Sequence, residues 1–515
     1  MRAQALHLPE SDGSSAREGS IGGGGDDGDD GQRRARPTPQ FAIPAVGAVA
    51  GGRFAMLKSS AAKKVPIVST VPTNLVVHAT QVRQAEEERL VTTVTFGAPT
   101  AHSLGFKSGG LRETSKKLEL YSKPRGLAAT MGPALTNTQR VKQSVKTGLR
   151  QLELIFAYHA RETIVLSQAL AAAVAACIDH LTQCIVNRQN RVLSQVSSIG
   201  LLLHSVSLLS TSGKELAMID DFAGAYERLN LTIRLQCSDT ASSAGGAAEA
   251  EPQDFALLQV VEARPTVQMP PPEEHGRRKE GTANIGDVTV VLNVQRRADF
   301  EWVLGVVEGE GSVDIRVIPV LFNLGVNEMQ SVSNAAGTTD VQTAVNRAGL
   351  AKLQLYFEAY AAFAAPRASG DASLAFAALS NTLLDLDHLR SLLGFLAELI
   401  ELEDKEKGKH VGVLLEACRI GRLLHGARTT SCKSAKDRTS VFQTLEVARL
   451  ARDWGWLAPT HEQGVLDGLR GRDGVRLRNC EANIERPKYS FNALQLRTLP
   501  PELRPPPATA TGGMS

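Results

Sequence analysis

Arg428-Thr-Thr-Ser431-Cys432-Lys433-Ser434-Ala435-Lys436-Asp437-Arg438-Thr439-Ser440 is the stretch on which the fold turns. A short Thr-containing run precedes Cys432, and Thr439 to Asp453 carries helical periodicity, so the segment reads as strand, tight loop and helix. A loop that enters a helix at Arg438 points its backbone N–H groups inward as an anion nest, reinforced by the positive end of the helix. Its filling suits that geometry. Lys433 and Lys436 bring charge, Ser434 and Ala435 are small enough for amides to approach a ligand, and Asp437 is the one acid. A cysteine in such a field ionises more readily than a free thiol, and the thiolate is the nucleophile. The expected chemistry is displacement at phosphorus through a covalent thiophosphate on Cys432. Arg438 forks onto two phosphate oxygens, and Asp437 is the candidate to protonate the departing alkoxide, the alternative being that it only positions Arg438 or caps the helix. Thr439 or Ser440 is placed to donate to the sulfur, and two lysines around one nucleophile predict a substrate richer in charge than a phosphate monoester.

Cys-x5-Arg is a weak signal when taken alone. Cys480-Glu-Ala-Asn-Ile-Glu-Arg486 has the same spacing, but Glu481 and Glu485 would repel a phosphate, so that second match is a decoy.

The composition of the full 515 residues bounds the setting. A hydrophobic share of 43% and a charged share of 22% exclude a fully disordered or fibrous chain. Lys plus Arg is 57 against 54 for Asp plus Glu, which argues against a nucleic-acid-coating protein. The six cysteines do not form a dense disulfide framework, and a reducing, cytoplasmic setting follows. The Gly/Asp-rich start lacks the apolar run of a secretory signal. Thr163 to Ile178 is the most apolar window, too short to span a bilayer and ending in Asp179 and His180, so it reads as a buried Ala-rich helix. No metal-ligand cluster of usable spacing is visible, and neither a metal nor another cofactor is expected.

Along the chain, residues 1–65 read as a low-complexity tail and 66–237 as a strand pair with a helical region. Residues 238–287 read as a loop-rich insertion, 288–506 as the catalytic region and 507–515 as a second tail. Strands are expected at 75–82, 90–96, 288–294, 301–307 and 313–322, and helices through 136–227 and at 339–364, 372–403 and 409–425. The expected class is α/β, a cysteine-phosphatase-like mixed sheet with helices and a largely helical N-terminal extension.

With these residues in view, Ser431 to Ser440 resembles the signature of the inositol polyphosphate 4-phosphatases. It is also similar to the loop of bacterial inositol-phosphatase effectors, which have Gly where Ala435 stands. Further blocks resemble the family in order: Gly97-Ala-Pro99, Gly105-Phe-Lys107-Ser-Gly-Gly-Leu-Arg112, Ser167-Gln-Ala-Leu170, Leu208-Leu-Ser-Thr211, Ile318 to Glu328, and Lys488 to Leu496. The resemblance implies removal of the 4-phosphate of phosphatidylinositol 3,4-bisphosphate, with Cys432 as phosphocysteine and Arg438 as clamp. Lys433 and Lys436, with Ser434, Ala435 and Thr439, would hold the inositol phosphates. Lys107 and Arg112 are candidates for a second phosphate contact, although a structural turn is the favoured reading of their block, and Asn323, Asn327 and Glu328 are candidates for facing the ligand. The implied partner is a phosphoinositide headgroup met peripherally at a membrane, without nucleic acid. A phosphoprotein phosphatase and a silent phosphoinositide-binding protein are the alternatives. Animal relatives carry a lipid-binding β-sandwich ahead of the matching part, for which roughly 65 residues leave no room. Recruitment then falls to a weak basic patch (Arg33, Arg34, Arg36, Lys58, Lys63, Lys64) or to a partner protein.

Overall fold

Leu201, Leu203 and Leu202, Val206 pack into two different cores on opposite faces of one strand, as the two-residue period of a β-strand requires. That strand sits inside a nine-stranded sheet covered on both sides by helices. The computed structural model describes residues 40–42, 74–84, 86–103, 109–122, 136–237, 257–265, 287–307, 311–365, 372–471 and 489–510. Its strands are β1 (Gln40–Ala42), β2 (Val76–Gln84), β3 (Glu87–Gly97), β4 (Leu201–Ser207), β5 (Asn230–Gln236), β6 (Leu258–Pro265), β7 (Asp287–Val294), β8 (Ser312–Asn323) and β9 (Ala427–Cys432). The helices that matter here are α1 (Leu111–Ser122), α2 (Asn137–Val186), α3 (Asn190–Ile199), α4 (Gly213–Arg228), α5 (Arg297–Val307), α6 (Glu328–Ala335), α7 (Asp340–Ala364), α8 (Ala372–Glu406), α9 (Gly412–Leu423) and α10 (Asp437–Asp453).

The strand order is β1-β2-β3-β9-β4-β8-β5-β7-β6. β3, β9, β4 and β8 run parallel, flanked by antiparallel pairings of β2 with β3 and of β5 with β8. The class is therefore α/β with a mixed sheet. Segments read apart as 66–237 and 288–506 contribute neighbouring strands, since β9 lies between β3 and β4.

One face is covered by α2, α3, α4 and α5 and the other by α7, α8, α9 and α10, which is why the parallel strands are buried on both sides. Although residues 163–178 alone read as too short, the whole of α2 is long and apolar enough to cross a membrane by length and composition, yet 67% of its most apolar 18-residue window is buried within the protein. Its Ala and Val side chains, among them Ala169, Ala172, Ala173 and Ala176, let the helix lie close against the sheet.

Two expectations are corrected. Residues 301–307 lie in α5, not in a strand: Asp299, Phe300 and Val303 bury one helical side, and this outweighs the β-preference of Trp302, Val306 and Val307. The helical reading of 136–227 also missed β4, whose seven residues are all buried and show no alternation. Within 238–287, read as loop-rich, residues 258–265 form the edge strand β6.

Candidate active site

β9 ends at Cys432, with neighbours hydrogen-bonded on both sides. The Cys432 carbonyl accepts from Ala98 N at 2.8 Å, and the Ser431 carbonyl accepts from Leu208 N at 2.8 Å. Ligands of open α/β sheets bind beyond the carboxyl ends of the strands, and Cys432 stands on that rim. Lys433 to Lys436 make the turn and α10 starts at Asp437. The turn needs a left-handed residue, and Ala435 fills that position with φ 51° while only 2% exposed. An L side chain there costs on the order of 1 kcal/mol. From the far side Asn74 Nδ2 donates to the Ser434 carbonyl at 2.6 Å and pins the loop.

Arg438 points into a pocket of about 360 Å³. Its Nη1 donates to the Leu208 carbonyl at 2.7 Å and to Glu215 Oε2 at 2.9 Å, and its Nη2 donates to Glu215 Oε1 at 2.6 Å. One edge of the guanidinium is thereby fixed on Glu215. The other fork, Nε–H with the second Nη2–H, has no hydrogen bond among the described residues and has the shape that grips two phosphate oxygens. Glu215 is held in turn by the backbone N–H and hydroxyl of Ser210 at 2.9 and 3.0 Å. Burial alone would raise the Glu215 carboxyl, but the charge and hydrogen bonds of Arg438, with those of Ser210, bring it below its ordinary value. For Arg438 burial works against the cation, and Glu215 more than restores it.

Three other segments complete the lining. Ser212, Gly213 and Lys214 come from the start of α4; Asn327 and Glu328 come from the start of α6; Phe491, Gln495 and Leu499 come from the C-terminal segment. Lys433 is the loop lysine that lines it. Glu328 Oε1 accepts from Gln495 Nε2 at 3.0 Å, whereas its Oε2 is enclosed without a hydrogen bond. Lys409 Nζ ties Asn327 and Thr498 together through their carbonyls at 2.7 and 2.8 Å; its own burial lowers it to about 8, with Glu328 acting the other way.

Of the residues singled out in the sequence, Cys432, Lys433 and Arg438 are brought together at this rim, with Cys432 2% exposed beneath it. Asp437 is not among the residues that line the pocket; its Oδ1 accepts from Ser490 N at 3.2 Å. Burial pushes its carboxyl up, against the opposing effects of the Ser490 N–H, Lys436 and Arg438. A carboxyl shifted in that direction holds a proton to higher pH than usual. Thr439 Oγ1 donates to the Lys436 carbonyl at 3.1 Å, and the Ser440 hydroxyl meets the Tyr489 hydroxyl at 3.1 Å, so both have partners other than the sulfur. Arg112 is bonded to Asp220 and Glu227 and is absent from the pocket lining. Asn323 is fully buried, with its Nδ2 on the Leu209 carbonyl and Gln342. Lys107, the basic residues 33–64 and the decoy Cys480 lie outside the described residues.

Sequence reading missed Glu215, which lies 223 positions from Arg438 and has no local motif of its own. Only the neighbouring block Leu208 to Thr211, which supplies the carbonyl and the serine that frame the pair, carried a signal.

The family model described as INPP4A C-terminal domain matches residues 40–156, 135–244 and 303–503. The chain is 30% identical over 349 residues to inositol polyphosphate 4-phosphatase type II of Homo sapiens, which is 68% of this chain and 32% of the relative. It is equally similar to the type II inositol 3,4-bisphosphate 4-phosphatase of Pongo abelii. It thus spans about a third of the length of the curated relatives it matches. With a Cys-x5-Arg turn on the carboxyl rim of its sheet and matching blocks on both sides of it, the chain belongs to the inositol polyphosphate 4-phosphatase family.

Proposed function

We propose that the protein is a phosphoinositide phosphatase of the cysteine-phosphatase type, removing the 4-phosphate of phosphatidylinositol 3,4-bisphosphate and leaving the 3-phosphate. The observation that carries this reading is the Arg438 guanidinium, locked on Glu215 along one edge and open to the pocket along the other, one turn from Cys432. The choice of the 4-phosphate is supported by the names of the relatives.

In the first step the Cys432 thiolate attacks phosphorus. The S–P bond forms as the P–O bond to the inositol C4 oxygen breaks, and Asp437 gives that oxygen its proton. Arg438 holds two of the phosphoryl oxygens, so the charge of the transition state meets donors that are already oriented. In the second step a water attacks the thiophosphate, Asp437 takes its proton back, and inorganic phosphate leaves as the thiolate is restored. Lys433 faces the remaining ring phosphate. The headgroup would be met at the cytoplasmic face of a membrane, which is a peripheral contact.

Phosphate release from a panel of soluble short-chain phosphoinositides and a phosphotyrosine peptide tests the reading. Phosphatidylinositol 3,4-bisphosphate should be the best substrate, and Cys432→Ser should abolish turnover while headgroup binding persists. Undiminished release by that variant, or preference for the peptide, contradicts it.

A further inference from the structure

The long helix α2 is two different helices in one. From Arg161 onward its side chains enter the core, whereas before that point it carries five large apolar residues in the open. Val141, Val145, Leu149, Leu152 and Phe156 are 63, 57, 58, 51 and 73% exposed. At about 100° per residue they fall within an arc of about 80° and run for about 22 Å along the axis. Lys142, Lys146 and Arg150 follow along one border of that stripe, with Glu153 as the one acid among them, and all are exposed. None of these three basic residues has an ion pair among the described residues.

Three contacts anchor α2 just past the end of this half-helix. Gln168 Oε1 accepts from Thr100 N at 2.7 Å, Arg161 binds Asp221 at 2.6 Å, and Asp221 also accepts from the Thr100 hydroxyl at 2.5 Å. Thr100 lies just past the end of β3, two residues after Ala98, which donates to the Cys432 carbonyl. So α2 crosses the carboxyl rim of the sheet between Arg161 and Gln168. Its buried part runs back along the sheet, and its exposed part projects from the rim that carries Cys432.

We infer that residues 137–160 form a membrane-docking element that lays its apolar stripe into the headgroup region of an anionic bilayer, with Lys142, Lys146 and Arg150 on the lipid phosphates. The inference rests on the reading of the substrate as a lipid, because that reading puts a bilayer at this rim. The charge row selects the occupant. An antiparallel pair of copies packed through this stripe would bring like-charged borders together, whereas an acidic lipid surface is complementary to them. An apolar stripe with a basic border is the composition of helices that lie in the interface plane.

The test uses the full chain and vesicles free of phosphoinositide, with phosphatidylcholine alone or mixed with phosphatidylserine. Co-sedimentation should favour the mixed vesicles. Leu149→Glu with Phe156→Glu should cut it by about tenfold or more. Lys142→Gln, Lys146→Gln and Arg150→Gln, which remove three charges, should together cut it by about 100-fold and flatten its salt dependence, at about fivefold per charge. Hydrolysis of a soluble short-chain substrate should be unchanged in both variants, which also shows that they fold. Equal partitioning by the parent and both variants overturns the inference, as does a dimer in light scattering that Phe156→Glu converts to monomer. If the parent binds phosphatidylserine vesicles through the stripe yet releases no phosphate from any phosphoinositide, the docking element stands and the phosphatase reading falls.

Discussion

Two arginine–glutamate pairs sit at opposite ends of β9, alike in chemistry and opposite in surroundings. At the start of the strand Arg428 has a 1% exposed side chain and donates to Glu446 at 3.1 and 2.9 Å. Its other donors go to the His204 ring and carbonyl, the Thr429 carbonyl and the Thr430 hydroxyl, and Arg422 adds a second cation on Glu446 at 2.8 Å. Nothing is left over. At the end of the strand Arg438 is 13% exposed, grips Glu215 along one edge only and keeps a free fork toward the pocket. The difference shows that burial of an ion pair says little about its role. What decides is whether the donors are all consumed inside the protein or some of them face a space that a ligand can enter.

Exchanging the two arginines for alanine separates those roles. Arg438→Ala should lower kcat/KM for the short-chain lipid by about a thousandfold or more while the protein still folds. Arg428→Ala leaves Glu446 buried with less compensation and should cost about 3–5 kcal/mol in urea unfolding. Activity loss and stability loss in the same proportion for both variants would break the distinction.

The closed pair also has a pH signature. Burial would raise the Glu446 carboxyl, but Arg422 and Arg428 hold it down to about 2. A carboxyl lowered by folding stabilises above its unfolded value, near 4.3, and that contribution disappears as pH falls toward 2. The urea midpoint should therefore drop across that window, and Glu446→Gln should flatten the drop, although it starts from a lower midpoint.

The smallest effect belongs to the loop between the pairs. Ala435→Gly removes a Cβ from a left-handed position and gains at most about 1 kcal/mol, offset in part by the freer unfolded chain. Turnover should stay within about twofold, and a larger loss would mean that the methyl group packs against substrate.

These residues also show what the sequence makes legible. Cys432 to Arg438 is one contiguous turn whose spacing, small residues and charges all act locally, so its strand–loop–helix form could be read directly. β2, β3, β7 and β8 carry β-branched runs bounded by turn residues, and the long helices carry their period. Glu215 could not be found that way, because the β4–β9 pairing that brings it to Arg438 is a tertiary event. β4 itself was hidden because a strand buried on both faces has no alternation to read. In α5 the same blindness ran in reverse: a β-branched run became a helix because only one side of it meets the core.

The most direct test of the central claim is rapid acid quenching of the parent enzyme during turnover of the short-chain lipid, followed by mass analysis of the peptide that contains Cys432. The account predicts one phosphoryl group on that sulfur, accumulating in the steady state and lost once the substrate is exhausted. Turnover at full rate with Cys432 never phosphorylated would contradict it.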